Sequence, residues 1–192
     1  MSSLSRNNRR AHFARRTHTL GAGLALTLLS TAALADGAHR QFVFTAYADA
    51  AGGTQVLAGR YQAALAQLRG YRGVADPDPA AVETNRCVAY SMTLQWQKAS
   101  SSCDAAVRAA EAERAMPTAT WSWAPASSDD YVAVAYANRA VVHWLLKDDA
   151  GARKDLAKAR SLLPQAGFVT RNVEAFEAHR LVAQAGTPTP KS

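Results

Sequence analysis

Apolar positions recur at helical spacing along most of the chain, and turn residues interrupt them at short intervals. Gln55–Ala58, then Gly59-Arg60-Tyr61, then Gln62–Leu68 predict helix, turn, helix. Gly70–Gly73 and the proline-bearing Asp76–Pro79 predict a loop; Asp78 with Pro79 is a helix start, a capping side chain followed by proline at the first helical position. Helices are expected from Ala80 to about Leu94 and from Gln95 to about Ala115, where Met116-Pro117 ends the second. Thr118–Ser127 is irregular and carries Trp121, Trp123 and Pro125. Ser128 or Asp129 opens a helix to about Leu146, Lys147–Asp149 makes a turn, and Gly151–Leu163 forms a helix closed by Pro164. Phe168–Ala185 predicts a last helix, with Val169, Val173, Phe176 and Val182 as its apolar positions. Gln41–Tyr47 is too short for its period to separate a strand from a lead-in to a helix. Helices of about 12 to 18 residues with connections of two or three residues imply antiparallel neighbours, hairpin after hairpin.

The N-terminus has a different pattern. Arg6, Arg9, Arg10, Arg15 and Arg16 precede an apolar run from Leu20 to Leu34, and Ala33-Leu34-Ala35 has the form of a cleavage site. That is the layout of a secretory signal peptide over residues 1–35. An uncleaved anchor is disfavoured because about 20 apolar residues are needed to span a bilayer. The general secretory route fits better than the twin-arginine route, because the residues after each arginine pair match that signal poorly.

Charge looks different once the leader is set aside. The whole chain of 192 residues has 22 Lys+Arg against 15 Asp+Glu, a net charge of +7. Five of those arginines and none of the acids lie in the leader, so the mature part has 17 basic against 15 acidic residues. A balance so near neutral excludes a strong field for phosphate backbones, and no nucleic-acid partner is expected. The remaining 157 residues are one domain's worth, with no later run apolar enough to span a membrane. A periplasmic or secreted location follows, in which cysteines persist as disulfides.

Asn85-Arg86-Cys87-Val88-Ala89-Tyr90 returns 53 residues later as Asn138-Arg139-Ala140-Val141-Val142-His143. Each copy leads into a second amphipathic segment, Trp96–Val107 and Asp149–Ala159. Such echoes mark stacked units sharing one core. In the copy from Ala133 to Ala166, Tyr136 is the aromatic near the start and Ala140 the small residue of the first helix. Asp148 lies in the turn, Ala152 and Ala159 flank Leu156, and Pro164 closes the copy. The copy from Ala80 offers Cys87, Tyr90, Trp96, Ala99, Cys103, Ala106 and Val107, and an earlier one Gly59, Tyr61, Ala64 and Leu68. On these residues the chain resembles the tetratricopeptide repeat family, whose 34-residue unit is two antiparallel helices with small residues at their contact. The resemblance implies an all-α fold, an α-solenoid of about three hairpins over residues 50–166 with an insert at 116–128. It is preceded by a lead-in at 36–49 and followed by a capping helix at 167–185 and a polar tail at 186–192. Arg86 and Arg139 stand where the family usually has leucine, and Lys147 where it has a turn glycine.

The resemblance also implies a concave groove lined by the first helix of each hairpin. Its positions map to Thr84, Val88, Ser91 and Met92, and to Val134, Ala137, Val141, Trp144 and Leu145. The row is apolar and lacks the lysines and asparagines of a carboxylate clamp, so it implies a protein or peptide partner with an amphipathic or extended apolar segment. Two occupants from the chain itself are also open, the Trp121–Pro125 insert and the Phe42–Phe44 run, which would make the chain a structural subunit or assembly factor. Cys87 and Cys103 lie about equally far from the turn between two antiparallel helices, where a disulfide is geometrically favoured. Two buried thiols standing in for alanine, or a metal site, are the alternatives, and no Cys-x-x-Cys or His pair supplies further metal ligands. His39, His143 and His179 are far apart, and Ser100-Ser101-Ser102 has no nucleophile frame. Asp129-Asp130 and Asp148-Asp149 fit helix ends. No catalytic residue, metal or cofactor is expected.

Overall fold

The computed structural model describes residues 42–71, 78–115 and 128–185. Seven helices follow one another among them: α1 (Gly53–Leu57), α2 (Tyr61–Arg69), α3 (Pro79–Met92), α4 (Trp96–Ala115), α5 (Ser128–Leu145), α6 (Asp149–Leu162) and α7 (Gly167–Ala185). No strand occurs among the described residues. The leader, the Trp121/Trp123 insert and the tail at 186–192 fall outside the described residues.

Local chemistry sets the helix ends where expected. The Asp78 carboxylate accepts from the Ala81 N–H at 2.9 Å, and Pro79 opens α3. Asp148 accepts from the Gly151 N–H at 2.9 Å and caps α6. Each satisfies a backbone donor that the first helical turn leaves unpaired. A left-handed residue ends each of three first helices: Gly59 at φ 71°, Leu94 at φ 58° and Lys147 at φ 66°. The same pair of backbone bonds closes all three turns. Gly59 N–H donates to Val56 and Arg60 N–H to Gln55; Leu94 donates to Ser91 and Gln95 to Tyr90; Lys147 donates to Trp144 and Asp148 to His143. Glycine takes this conformation freely, whereas a residue with a Cβ is strained there by about 1 kcal/mol.

The helices fall into two kinds. In α4 the buried residues Ala99, Ser102, Cys103, Ala106, Val107 and Ala110 form one stripe at three- and four-residue spacing, and α6 buries only Ala152, Asp155, Leu156 and Ala159. Helices with one buried stripe are covered on one side. By contrast α3 and α5 each bury nine residues spread around the helix, so they must be covered on several sides. The contacts agree: α3 touches α1, α2, α4 and α5, and α5 touches α3, α4, α6 and α7. Alanine at the seams lets the axes approach. Ala99, Ala106, Ala110, Ala133, Ala137, Ala152 and Ala159 are all at most 1 % exposed.

Cys87 on α3 and Cys103 on α4 are bonded, with Cα atoms 4.9 Å apart across the seam. Their ring of 16 residues contributes about 3 kcal/mol in the chain-entropy account. No helix of the described residues is long and apolar enough to cross a membrane.

Candidate functional site

Phe42–Tyr47 forms neither helix nor strand. It is an extended segment whose backbone groups are held by side chains, which is why its period alone left it undecided. Three asparagines hold it. Asn172 on α7 accepts from the Val43 N–H at 2.7 Å and donates to the Val43 carbonyl at 2.9 Å. Asn138 on α5 accepts from the Thr45 N–H at 2.9 Å and donates to the Thr45 carbonyl at 2.8 Å. Asn85 on α3 accepts from the Tyr47 N–H at 2.8 Å and donates to the Tyr47 carbonyl at 2.9 Å. Its second amide hydrogen goes to the Ala51 carbonyl at 3.2 Å. In an extended chain the N–H and C=O of one residue point the same way, and the next residue's pair points opposite. Three carboxamides therefore satisfy alternate residues, each amide matching one donor–acceptor pair. The segment runs against the order of the helices, from α7 to α5 to α3.

These amides are 0 %, 1 % and 0 % exposed at Asn85, Asn138 and Asn172. Asparagine is a poor helix former, because its side chain competes for backbone groups. Three of them buried within helices need partners, and leaving one unpaired costs about 1–3 kcal/mol. The main chain of Phe42–Tyr47 supplies those partners.

The segment's side chains add apolar contacts. Phe42 packs against the cluster of Ala140, Ala152, Leu156 and Phe176. Its ring lies 4.6 Å from that of Trp144 and 6.0 Å from that of His179. Phe44 packs against two clusters, one containing Val88 and Ala89, the other the cystine with Ala99 and Val142. Ala46 joins the first of these. Tyr47 lies 4.9 Å from Tyr131, ring centre to ring centre. Burial pushes the Tyr47 phenol well above its ordinary value, with Tyr131 and Asp78 adding to the shift. Burial and then a hydrogen bond to Asp78 raise Tyr131 likewise. The turn after Tyr47 is tight: a Cβ on Gly53 would overlap the Tyr47 carbonyl.

Among the positions mapped to a groove, Trp144 touches Phe42 directly and Val88 lies in a cluster under Phe44. Thr84, Ser91, Val134, Ala137 and Val141 are buried. Ala137 packs with Ala159 and Val169 where α5, α6 and α7 meet. Leu145 is half-buried and Met92 is exposed. The asparagines are not among the positions that the resemblance maps to a groove. Their signal was present, since Asn85 and Asn138 head the repeated Asn-Arg pair and Asn172 lies 34 residues after Asn138.

The repeated arginines face polar partners. Arg86 pairs with Glu83 and donates to the Leu68 and Tyr71 carbonyls at the end of α2. Arg139 forks onto Asp155, Nε to Oδ2 at 2.7 Å and Nη2 to Oδ1 at 2.9 Å, and reaches Asp104 at 3.1 Å. The hydrogen bond to Asp155 is the main cause that holds its guanidinium pKa above the ordinary value. His143 Nδ1 lies 2.7 Å from Asp148. A Cβ on Gly151 would collide with that pair. No group of three or more metal-ligating side chains occurs among the described residues.

In comparisons with known proteins, no family model, no curated protein and no solved structure matches this chain.

Proposed function

We propose that the chain is an exported tetratricopeptide-like scaffold whose first helices form a groove for extended polypeptide, with Phe42–Tyr47 as its intramolecular occupant. One observation carries this reading: three buried carboxamides on α3, α5 and α7 bond the main chain of alternate residues. Amides that match main-chain donors and acceptors recognise a backbone, whatever its side chains, and aromatic contacts set the register. The 53- and 34-residue spacings of Asn85, Asn138 and Asn172 support repeat units that each contribute one amide. The basic, apolar, small-residue layout of residues 1–35 supports export to the periplasm or beyond. A bonded cysteine pair fits an oxidising compartment. The polar side chains of the helices serve binding and packing in this reading, not catalysis.

A second reading has one observation in its favour. Phe44 reaches two core clusters at once, so the segment also fits a permanent part of the fold, in a structural subunit or assembly factor of an envelope complex.

The test replaces residues 42–47 with glycine and serine and supplies a peptide of the sequence Gln41–Ala50 in trans. One-to-one association by calorimetry, with the helical content of the altered chain retained, is the expected result. A helical chain that ignores the peptide contradicts the polypeptide-site reading. Loss of helicity that the peptide restores favours the permanent, structural role.

A further inference from the structure

We infer that Phe42–Tyr47 is a displaceable stand-in, and that the same face takes from another polypeptide an extended segment of the pattern aromatic-x-aromatic-x-small. This rests on the preceding reading of the face as a polypeptide site.

The resident segment defines the chemistry. Hydrogen bonds reach only the backbone of Val43, Thr45 and Tyr47, so the intervening side chains are not selected by them. Proline is the exception, because it lacks the N–H each asparagine oxygen requires. Selection falls on the other set of positions. The first aromatic packs on the cluster that holds Phe176, beside Trp144, the second on the cluster of the cystine and Val142 and on that of Val88 and Ala89, and the small residue on this last cluster, which also holds Val56 and Ala64. Direction is fixed too, N-terminus at α7 and C-terminus at α3.

The two ends of the resident segment are held unequally. At the Tyr47 end, Asn85 also bonds Ala51, and Gly53 packs under the Tyr47 carbonyl. The Phe42 end has one amide, Asn172, ring contacts with Trp144 and His179, and packing on the cluster of Ala140, Ala152, Leu156 and Phe176, with neither an added amide bond to a following residue nor a glycine fitted under its carbonyl among the described residues. Displacement therefore starts at Phe42, with the incoming aromatic taking its place against Trp144 while Tyr47 stays anchored. A short link gives the resident segment an effective concentration on the order of millimolar, which any ligand must overcome. Weakening the resident end raises the apparent affinity for a ligand in proportion.

The experiment titrates a labelled peptide of the sequence Gln41–Ala50 into the chain from Asp36 onward, as wild type and as Phe42→Ala, with fluorescence anisotropy as the readout. A second variant, Val43→Pro, loosens the same end without removing an aromatic ring. Circular dichroism establishes that each is helical. Both variants are expected to bind the peptide at least about tenfold more tightly than wild type. Within the peptide, alanine at either phenylalanine is expected to weaken binding by about tenfold or more, and N-methylation at the threonine to abolish it. Lysine at the valine should change it by less than about threefold. Equal affinity of wild type and both variants overturns displacement, and binding without preference for the two aromatic positions overturns the pattern. Absence of binding to the loosened chains and to the glycine-serine chain alike removes the underlying polypeptide-site reading instead. A wild-type dimer by light scattering, dissociated by the peptide, assigns the occupant to the segment of a second copy and overturns the proposal as stated.

Discussion

The α3–α4 and α5–α6 pairs share one backbone plan at a 53-residue offset but close their seams by different chemistry. Both turn through the same two hydrogen bonds with a left-handed residue, Leu94 in one and Lys147 in the other. Both place an asparagine on the extended segment. At the positions where α3 and α4 carry Cys87 and Cys103, α5 and α6 carry Ala140 and Leu156, an ordinary apolar contact. The arginine that follows each asparagine also differs in use. Arg86 reaches back to cap the end of α2, whereas Arg139 ties α5 to α6 through Asp155 and to α4 through Asp104. One pair is held by a covalent link, its counterpart by a forked ion pair on an acid that is 2 % exposed. A repeat therefore fixes the backbone and leaves the choice of fastener open.

Removing the ion-pair fastener should have the largest effect. Arg139→Ala takes the forked pair from the buried Asp155 and leaves it facing His143, whose Nε2 lies 3.6 Å away, and is expected to cost about 3–5 kcal/mol in urea denaturation. Arg86→Ala removes a side chain as exposed as Arg139 but paired with Glu83, an acid 22 % exposed against 2 % for Asp155, and should cost about 1 kcal/mol. Equal losses at the two sites would erase the contrast.

The covalent fastener comes next. Reduction, or the double substitution Cys87→Ala with Cys103→Ala, should lower stability by about 3 kcal/mol. Cys87→Ala with Cys103→Leu copies the α5–α6 seam and should recover about 1 kcal/mol of that loss through the added apolar contact. An unchanged thermal midpoint under reductant would show that the cystine holds nothing together.

How far the sequence could be followed depended on range. Helix ends were legible because Asp78, Pro79 and Asp148 act within one turn of themselves. The cysteine pair was legible because a short turn places its two residues opposite each other. The extended segment was not, because its partners lie 38, 93 and 129 residues away. The faint signal is the asparagine: Asn85, Asn138 and Asn172 are three unfavourable helix residues, 53 and 34 residues apart, set among more numerous apolar positions. The turn departures proved compatible with the fold, since Lys147 takes the conformation a glycine would.

Alkaline pH probes the end of the segment. Tyr47 and Tyr131 have raised pKa values in the folded chain. Their contribution is fully present below about pH 10, the unfolded value, and is lost as pH rises toward the folded values. Wild type should therefore lose stability above about pH 10, and Tyr47→Phe should lose less over the same range. At neutral pH that substitution should be harmless or slightly stabilising, because the Tyr47 hydroxyl is buried without a hydrogen-bond partner among the described residues. Identical alkaline curves would contradict the burial of that phenol.

The smallest effect sharpens the comparison at the turns. Leu94→Gly and Lys147→Gly should each stabilise by about 0.5–1 kcal/mol, because glycine relieves the left-handed strain at both sites. Loss of stability at either would mean that the side chain does something the turn does not explain.

Amide hydrogen exchange at Thr45 is the most direct measurement of the amide ladder. Its N–H should be strongly protected in the wild-type chain and become exchangeable in Asn138→Ala while the amides of α3 and α5 stay protected. A Thr45 amide that exchanges in the wild type as fast as in a free peptide would contradict the account.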